Sequence, residues 1–352
     1  MIKELTSLRI VLMLMIFIHH INTMYNGGYS AVAAFFVLGG FVMTLGYKKK
    51  IESSEFSYSS YLTKRLLKIY PLHWICLFVM LLVTLLQGNA MIPSMKIVAL
   101  NALLLQSWIP KMEVYFSYNS LSWYCSSLLL FIAFFPLFIK SLINVSNKKM
   151  ILLWSFIVGL YVVLWILCPK EWRHPVLYIN PVMRLFDSLV GVGAAIFVSN
   201  IKKNEECSSF CTKHSTFLQI LTIFCLILFV GMSLWLKGVW KSFSLLYWIP
   251  IVVICVSLTL LGNIKKETIL SKFLTSVPLQ WIGRCSFSFY MCHALVIRYL
   301  TEYVQLYVPH GNNLYVRALI LFTISYVLAQ VLYYLVEIKL TKRLNNSLLK
   351  TQ

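Results

Sequence analysis

The residues best suited to chemistry lie in the first apolar segment of the chain, which reads RIVLMLMIFIHH from Arg9 to His20. Eleven positions make about three helical turns, so Arg9 and His20 share one face, roughly 16 Å apart along the axis, while His19 points about 100° away. Ionisable side chains within an apolar span are costly unless they face a polar interior. The spacing therefore predicts a functional site inside a helix bundle.

The composition indicates that such a bundle crosses a membrane. Of the 352 residues, 60% are hydrophobic and only 12% are charged, which is more apolar surface than a soluble core needs. The net charge of +20 does not indicate nucleic-acid binding, because the lysines form short clusters between apolar runs rather than along one face. Such clusters are typical of the cytoplasmic loops of membrane proteins.

The apolar runs predict an all-α, polytopic transmembrane helix bundle with about ten spans and both termini in the cytoplasm. The segment 96–108 is too short and amphipathic for a confident span, so we expect it to be interfacial or re-entrant. An eleventh span there would place most later lysine clusters outside. The ten runs are 8–24, 30–47, 71–88, 120–140, 150–168, 182–199, 216–236, 244–262, 284–303 and 315–337.

The N-terminus lacks the small-residue cleavage site of a signal peptide, so the first helix is expected to be retained. The nine cysteines show no disulfide framework, since most lie in apolar runs. Cys207, Cys211 and His214 lie in one polar loop but lack a fourth ligand at metal-site spacing. We therefore predict no metal.

The second and third helices carry small and basic residues. Gly39, Gly40 and Gly46 predict close packing of the second helix against the first, which would fix the direction of His20. Arg65 and Lys68 are three positions apart, a spacing that suits clamping phosphates or a carboxylate at the membrane surface. Anchoring to anionic membrane lipids is the alternative.

A polar first turn opens the helix at 120. Ser122, Trp123 and Tyr124 could receive a sugar that enters from the outer side. Helix capping and the aromatic belt at a membrane interface would explain the same residues without a ligand.

Two further polar clusters lie on later helices. Arg184 and Asp187 are three apart at the predicted outer mouth of a helix, where they could bind an acceptor or form an intrahelical ion pair. Tyr290 and His293 lie on one face with Ser286, either as a second polar lining of the site or as a hydrogen-bond network between helices. No P-loop, GxSxG or HExxH motif is present, and no internal repeat stands out.

Five segments in order resemble the membrane acyltransferase-3 family, bacterial enzymes that O-acylate surface and exported polysaccharides. RIVLMLMIFIHH matches its Arg-x10-His pattern, and SAVAAFFVLGGF is similar to its FFVLSGF helix. RLLKIYPLHW is similar to its RxxR-IYP segment, with Lys68 in place of the second arginine. NSLSWYCSSLLL resembles its SW-containing helix, although Leu128 replaces the glutamate of many members. WIGRCSFSFYMCHALV, followed by the closing YYLVE, completes a resemblance over roughly residues 5 to 340.

The resemblance implies an acyl-CoA donor, usually acetyl-CoA, and a sugar hydroxyl on a lipid-linked or exported glycan. His20 would be the general base or a transient acyl carrier. Arg9 would be the second catalytic residue, and with Arg65 and Lys68 it would hold the donor on the cytoplasmic side. The resemblance also implies one membrane domain over 1–352 in the bacterial inner membrane, without a fused esterase-like domain. Proteins of polysaccharide assembly are expected partners.

Two alternatives remain open on the sequence. A glycan exporter or flippase subunit would have the same composition without catalysis. The other alternative is an enzyme of the same fold that uses succinyl-CoA, or one that acylates an acceptor that is not a sugar.

Overall fold

The structure is a computed structural model that describes residues 2–22, 24–53, 55–86, 94–202, 205–236, 243–264 and 268–349. Regular structure in these residues is helical throughout. The first eight helices are α1 Lys3–Ile21, α2 Gly27–Glu52, α3 Tyr58–Leu86, α4 Met95–Ala102, α5 Met112–Tyr115, α6 Ser122–Leu142, α7 Asn147–Leu167 and α8 Lys170–Trp172.

The remaining helices are α9 Pro181–Lys202, α10 Glu205–Lys213, α11 Ser215–Trp235, α12 Leu245–Leu261, α13 Ile269–Leu274, α14 Val277–Arg284, α15 Ser286–Tyr307, α16 Leu314–Leu332 and α17 Thr341–Leu349. Two π-helical segments, Arg173–Ile179 and Tyr333–Leu340, join α8 to α9 and α16 to α17. π-Helical segments are rare in proteins overall, and those that occur are often at functional sites.

Every predicted span overlaps a helical segment of the structure. Within the described residues, eight helical segments are long and apolar enough to cross a membrane: α1, α2, α3, α6, α7, α9, α11 and Leu314–Leu348. Of the other two predicted spans, α12 is apolar but has only 17 residues, and α15 carries Arg298 and Glu302 in its second half. The all-helical bundle is confirmed, whereas the count of ten and the location of the termini stay predictions.

The third helix begins thirteen residues before the predicted start at Pro71, and the prediction was wrong on this point. A proline inside a helix leaves the carbonyl four residues earlier without its donor. For Pro71 that carbonyl belongs to Leu67, and the Thr341 hydroxyl donates to it at 3.1 Å. Pro136 in α6 leaves the Ile132 carbonyl free, and the Tyr61 hydroxyl donates to it at 2.9 Å. Hydroxyls from neighbouring elements thus let both helices continue.

The segment 96–108 contains no spanning helix, as predicted. Its longest helical piece is α4, with eight residues, and Leu104 after it has a φ of 55°. The backbone carbonyl of Asn101 accepts a hydrogen bond from His73 Nε2 at 2.8 Å, which ties this segment to α3.

Helix α2 lies at the centre of the bundle and packs along α9. A Cβ atom at Gly40 would lie 2.0 Å from the Ser188 carbonyl oxygen, and one at Gly191 would lie 1.9 Å from the Val37 carbonyl oxygen. Only glycine permits this approach. The close packing predicted for α2 is present, but at Gly40 its partner is α9 instead of α1. At Gly39 and Gly46, a Cβ atom would meet nothing within 4 Å.

Candidate functional site

Two cavities lie along α1 and share one wall residue, Tyr290. The larger has a volume of about 660 Å³ and contains Arg9, Arg65 and Lys68; we call it the basic cavity. The smaller has a volume of about 300 Å³, and we call it the histidine cavity. Its lining includes His19, His20, Tyr29, Phe116, Trp123, His174 and Tyr178.

The basic cavity gathers charged side chains from three elements. Helix α1 supplies Arg9, α3 supplies Arg65 and Lys68, and the π segment Tyr333–Leu340 supplies Glu337. Arg65 lies over the Tyr47 ring at 4.4 Å, and its buried Nε makes no hydrogen bond. Three cations and one carboxylate leave an excess of positive charge, which suits an anionic ligand with several phosphates.

Most of the remaining lining of the basic cavity is apolar, and the cavity extends along α2. Gly39 and Gly46 both line it, and their seven-residue spacing makes about two helical turns on one face, or roughly 10 Å. A Cβ atom at either position would meet no neighbour within 4 Å, so the two glycines leave an unfilled lane along the helix. This lane has room for an elongated, uncharged part of a ligand.

The histidine cavity is lined by rings. His174 stacks on Tyr178 with ring centres 5.5 Å apart, and Tyr178 contacts Tyr29 at 4.9 Å. The Tyr115 hydroxyl lies 3.2 Å from His174 Nδ1. No Asp, Glu, Lys or Arg of the described residues lines this cavity. Aromatic faces with a few polar ring atoms suit a neutral ligand that carries hydroxyl groups.

His20 reaches His293, 273 positions along the chain. His20 Nδ1 lies 2.9 Å from the Ile16 carbonyl oxygen and 3.2 Å from His293 Nε2. His293 Nδ1 lies 2.9 Å from the Phe289 carbonyl oxygen, and His293 is fully buried. His293 therefore contacts the Nδ1 side of His20, and it lines neither cavity.

His19 also lines the histidine cavity, although the helical geometry placed it on another face. Its Nδ1 lies 2.5 Å from the Tyr25 carbonyl oxygen, and its ring packs edge-on against Tyr29 at 5.3 Å. The cavity curves around the end of α1, so adjacent positions both reach it. Only His20 contacts His293 in this way.

The start of α6 lies between the two cavities. Trp123 lines the histidine cavity, Tyr124 lines the basic cavity, and Ser122 lines neither. The Ser122 hydroxyl donates to the Asn119 carbonyl at 2.7 Å and accepts from Gln106 Nε2 at 3.0 Å. We therefore retain Trp123 and Tyr124 as candidate binding residues and assign Ser122 to the packing of the helix start.

Tyr290 is the partition between the cavities. Its hydroxyl donates to the Leu121 carbonyl at 3.1 Å, and its ring packs against Tyr124 with centres 5.2 Å apart. Both contacts fix the ring from the side of α6. The Tyr290 ring is therefore held in place where it lines both cavities.

The comparisons with known proteins decide what kind of protein holds these cavities. A family model described as an acyltransferase domain, that of acyltransferase family 3, matches residues 2–334. The chain belongs to this family. It is also 24% identical over 315 residues to Acyltransferase MdmB of Streptomyces mycarofaciens, a match that covers 80% of this chain and 70% of the relative. No solved structure matches the chain. The protein is thus a multi-pass membrane acyltransferase.

In this acyltransferase, Arg184 and Asp187 lie outside both cavities. Both side chains are fully buried and form an ion pair at 2.7 Å. Ser244 Oγ accepts from Arg184 Nη2 at 2.8 Å, and Asp187 accepts from Trp248 Nε1 at 2.5 Å. This geometry is that of the intrahelical ion pair, the second of the two interpretations of the sequence. We therefore do not retain Arg184 and Asp187 as substrate-binding residues.

The buried ion pair still bears on the site through Tyr178. The Arg184 guanidinium lies 4.9 Å from the centre of the Tyr178 ring, which forms part of the histidine-cavity wall. Removing one partner of such a pair leaves an uncompensated buried charge, at a cost of about 3–5 kcal/mol. The pair therefore supports the acyltransferase fold at this wall.

The described residues of the acyltransferase include no group of three or more His, Cys, Asp or Glu side chains placed to hold a metal ion. In the predicted polar loop, Cys211 lies in α10, and His214 packs against the Phe210 ring at 4.2 Å. The side chain of Cys207 lies outside the described residues.

Sequence reasoning missed four contributors to the two cavities: Tyr29, His174, Tyr178 and Glu337. Three of them fall in connections or π-helical segments, where apolar periodicity gives no signal. The polar, aromatic stretch EWRHPVLYINP between two apolar runs was the available signal for His174 and Tyr178. Glu337 was visible as an acid at the end of the last span, but its approach to α1 depends on tertiary packing.

Proposed function

We propose that the protein is an integral-membrane O-acyltransferase that moves an acetyl group from acetyl-CoA to a sugar hydroxyl of an exported or cell-surface polysaccharide. The observation that carries this proposal is the pair of cavities on either side of Tyr290, one basic and one lined by rings. Family membership supports the acyl transfer, and the two linings support the donor and the acceptor.

The basic cavity suits coenzyme A. Its phosphates would bind Arg65 and Lys68, which lie in the first half of α3, and the pantetheine arm would follow the lane at Gly39 and Gly46. Lys68 acts as a point charge, whereas Arg65 can bind a phosphate in a bidentate manner. Since positive charge in short loops favours the cytoplasmic side, Lys48, Lys49 and Lys50 at the end of α2 support a cytoplasmic entry.

The histidine cavity suits a saccharide. Sugar rings present apolar faces and hydroxyl groups, and the cavity offers Trp123, Tyr29 and Tyr178 beside the ring nitrogens of His20 and His174. A polysaccharide unit would enter it from the outer side. Tyr290 would then separate the acceptor from the donor until the acyl group is in place.

His20 is the reacting group in this proposal. Its Nε2 makes no hydrogen bond within the described part of the chain, so a lone pair there can take the proton of the acceptor hydroxyl. The hydroxyl oxygen bonds to the thioester carbonyl carbon, the carbon–sulfur bond breaks, and the sulfur of coenzyme A takes up the proton. The same lone pair would serve if His20 carried the acyl group transiently.

The test is proton NMR of surface polysaccharide purified from strains with and without the gene. We expect the polymer in both strains and the O-acetyl methyl signals only with the gene. A plasmid copy should restore the signals, and a His20→Ala copy at the same membrane level should not.

Each other result contradicts part of the proposal. Loss of the polymer itself would indicate an exporter or flippase component. Methylene signals of succinyl esters in place of the acetyl signals would show that the transferred group is succinyl. O-acetyl signals that persist without the gene contradict the proposed activity on this polymer.

A further inference from the structure

We infer that His293 is a positioning residue that, together with the Ile16 carbonyl, holds the proton of His20 on Nδ1 and so keeps the lone pair of His20 on Nε2. The inference rests on the proposed function for its consequence, because a base or acyl carrier must offer a lone pair on the nitrogen that substrate can reach. The network itself rests on three distances between ring nitrogens and their partners.

The first step fixes the tautomer of His293. Its Nδ1 lies 2.9 Å from the Phe289 carbonyl oxygen. A carbonyl oxygen only accepts hydrogen bonds, so Nδ1 carries a proton and donates it. In a neutral imidazole the other nitrogen is then an acceptor. His293 Nε2 therefore offers a lone pair to His20.

The second step fixes the tautomer of His20. Its Nδ1 faces two acceptors, the Ile16 carbonyl oxygen at 2.9 Å and His293 Nε2 at 3.2 Å. Both contacts are satisfied if Nδ1 carries a proton shared between them. The opposite tautomer would set the Nδ1 lone pair against the lone pairs of both acceptors. Nε2 is consequently the unprotonated nitrogen of neutral His20.

Packing against aromatic side chains keeps the His293 ring in place. The ring is fully buried, stacks on Phe289 at 5.2 Å with planes 10° apart, and contacts Phe17 at 6.2 Å. A ring packed in this way cannot turn to present another nitrogen without displacing its neighbours. The phenylalanines and the Phe289 carbonyl thus define one orientation for the His293 acceptor.

The arrangement has a consequence during reaction. When His20 takes a proton on Nε2 it becomes an imidazolium, and its Nδ1–H donates from a charged ring to His293 Nε2 and the Ile16 carbonyl. Hydrogen bonds from a charged donor are about twice as strong as neutral ones. His293 therefore stabilises the charged intermediate in the way that the third member of a catalytic triad does, although it is itself neutral.

The test compares two substitutions of His293 in membranes that transfer acetyl groups from acetyl-CoA. His293→Leu removes the acceptor, and we expect a fall in kcat of about 100-fold, the usual lower size of a general-base contribution. His293→Gln keeps an oxygen that can accept from His20 Nδ1, and its kcat should recover to within about tenfold of wild type. The KM for acetyl-CoA should not change, because His293 does not line the basic cavity.

The matched control is His73, another buried histidine whose Nε2 bonds a carbonyl, that of Asn101 at 2.8 Å. His73 lines neither cavity. His73→Leu should lower the melting temperature as His293→Leu does but leave the kcat of the folded protein unchanged. Equal loss of kcat in His293→Leu and His293→Gln, or wild-type kcat in His293→Leu, would overturn the inference.

A spectroscopic readout separates this inference from the proposed function. In ring-¹⁵N-histidine protein, signals of His20 are assigned by their loss in His20→Gln. We expect Nδ1 to show the shift of a protonated nitrogen and Nε2 that of an unprotonated one, and the His293→Leu protein should show a weaker preference, because the Ile16 carbonyl is then the remaining acceptor of the two. A protonated Nε2 in the wild type would overturn the inference whatever the activity. Absence of acetyl transfer with the expected shifts would overturn only the proposed function.

Discussion

The basic cavity and the histidine cavity share Tyr290, yet their linings differ in chemistry. Three cations and a carboxylate line the first, whereas rings line the second and none of its described lining residues is an acid or a base of the Lys or Arg type. In the proposed reaction the donor is polyanionic and the acceptor carries hydroxyl groups. The difference between the linings supports the proposal that each cavity binds one of them.

Tyr290 and His20 lie where the proposed donor and acceptor would meet. Tyr290 belongs to both linings, and His20 lies in the smaller one with His293 behind it. Water that reached both cavities freely would compete with the acceptor for the acyl group. In the proposed reaction, the Tyr290 ring would keep the two ligands apart except at the reacting atoms.

Of the substitutions that distinguish the two cavities, the one with the larger expected effect fills the glycine lane of the basic cavity. The Cβ atom of Gly39→Leu meets nothing within 4 Å and its side chain starts in the open lane, so we expect the protein to fold and reach the membrane. Because the side chain occupies the path proposed for the pantetheine arm, kcat/KM for acetyl-CoA should fall at least about tenfold, which corresponds to about 1.4 kcal/mol. The measurement is acetyl transfer in membranes at varied acetyl-CoA.

The matched control is Gly159→Leu in α7. Gly159 is also a helical glycine with nothing within 4 Å of an added Cβ atom, but it lines neither cavity. Both substitutions replace a poor helix former with a good one. If both variants had the same kcat/KM for acetyl-CoA, the lane would have no role in donor binding.

A smaller effect should come from the wall of the histidine cavity. Trp123→Phe keeps an aromatic ring but shortens the surface that faces the acceptor. Transfer to the endogenous acceptor in membrane vesicles should fall about fivefold, a loss near 1 kcal/mol that is in the range of an aromatic contact. The KM for acetyl-CoA should stay at the wild-type value. A rise in that KM instead would show that the two cavities do not divide the ligands.

Much of the fold was predictable because apolar run length and lysine clusters depend on local sequence alone. The helical spacing of Arg65 and Lys68 likewise predicted that they share one helix face, and both line the basic cavity. The start of α3 was not predictable, since its passage through Pro71 depends on a hydroxyl from Thr341. That contact joins residues 274 positions apart and leaves no local signal.

Sequence reasoning selected Arg9 and His20 because both lie on one helix, α1. In the structure Arg9 lines the basic cavity and His20 lines the histidine cavity. The meeting of His20 with His293 requires α15 to pack beside α1, and the closed pair of Arg184 and Asp187 requires Ser244 and Trp248 from the α12 region. Contacts between distant elements decide which polar residue lines a cavity and which supports it.

The most direct test of the account is acetyl transfer from labelled acetyl-CoA by membranes that contain His20→Ala at the wild-type level. We expect transfer to fall by at least about 100-fold, because the lone pair beside the histidine cavity is lost. Binding of acetyl-CoA, measured by the rise in melting temperature, should remain because the basic cavity is intact. Transfer at the wild-type rate by His20→Ala would contradict the assignment of His20 as the reacting group between the two cavities.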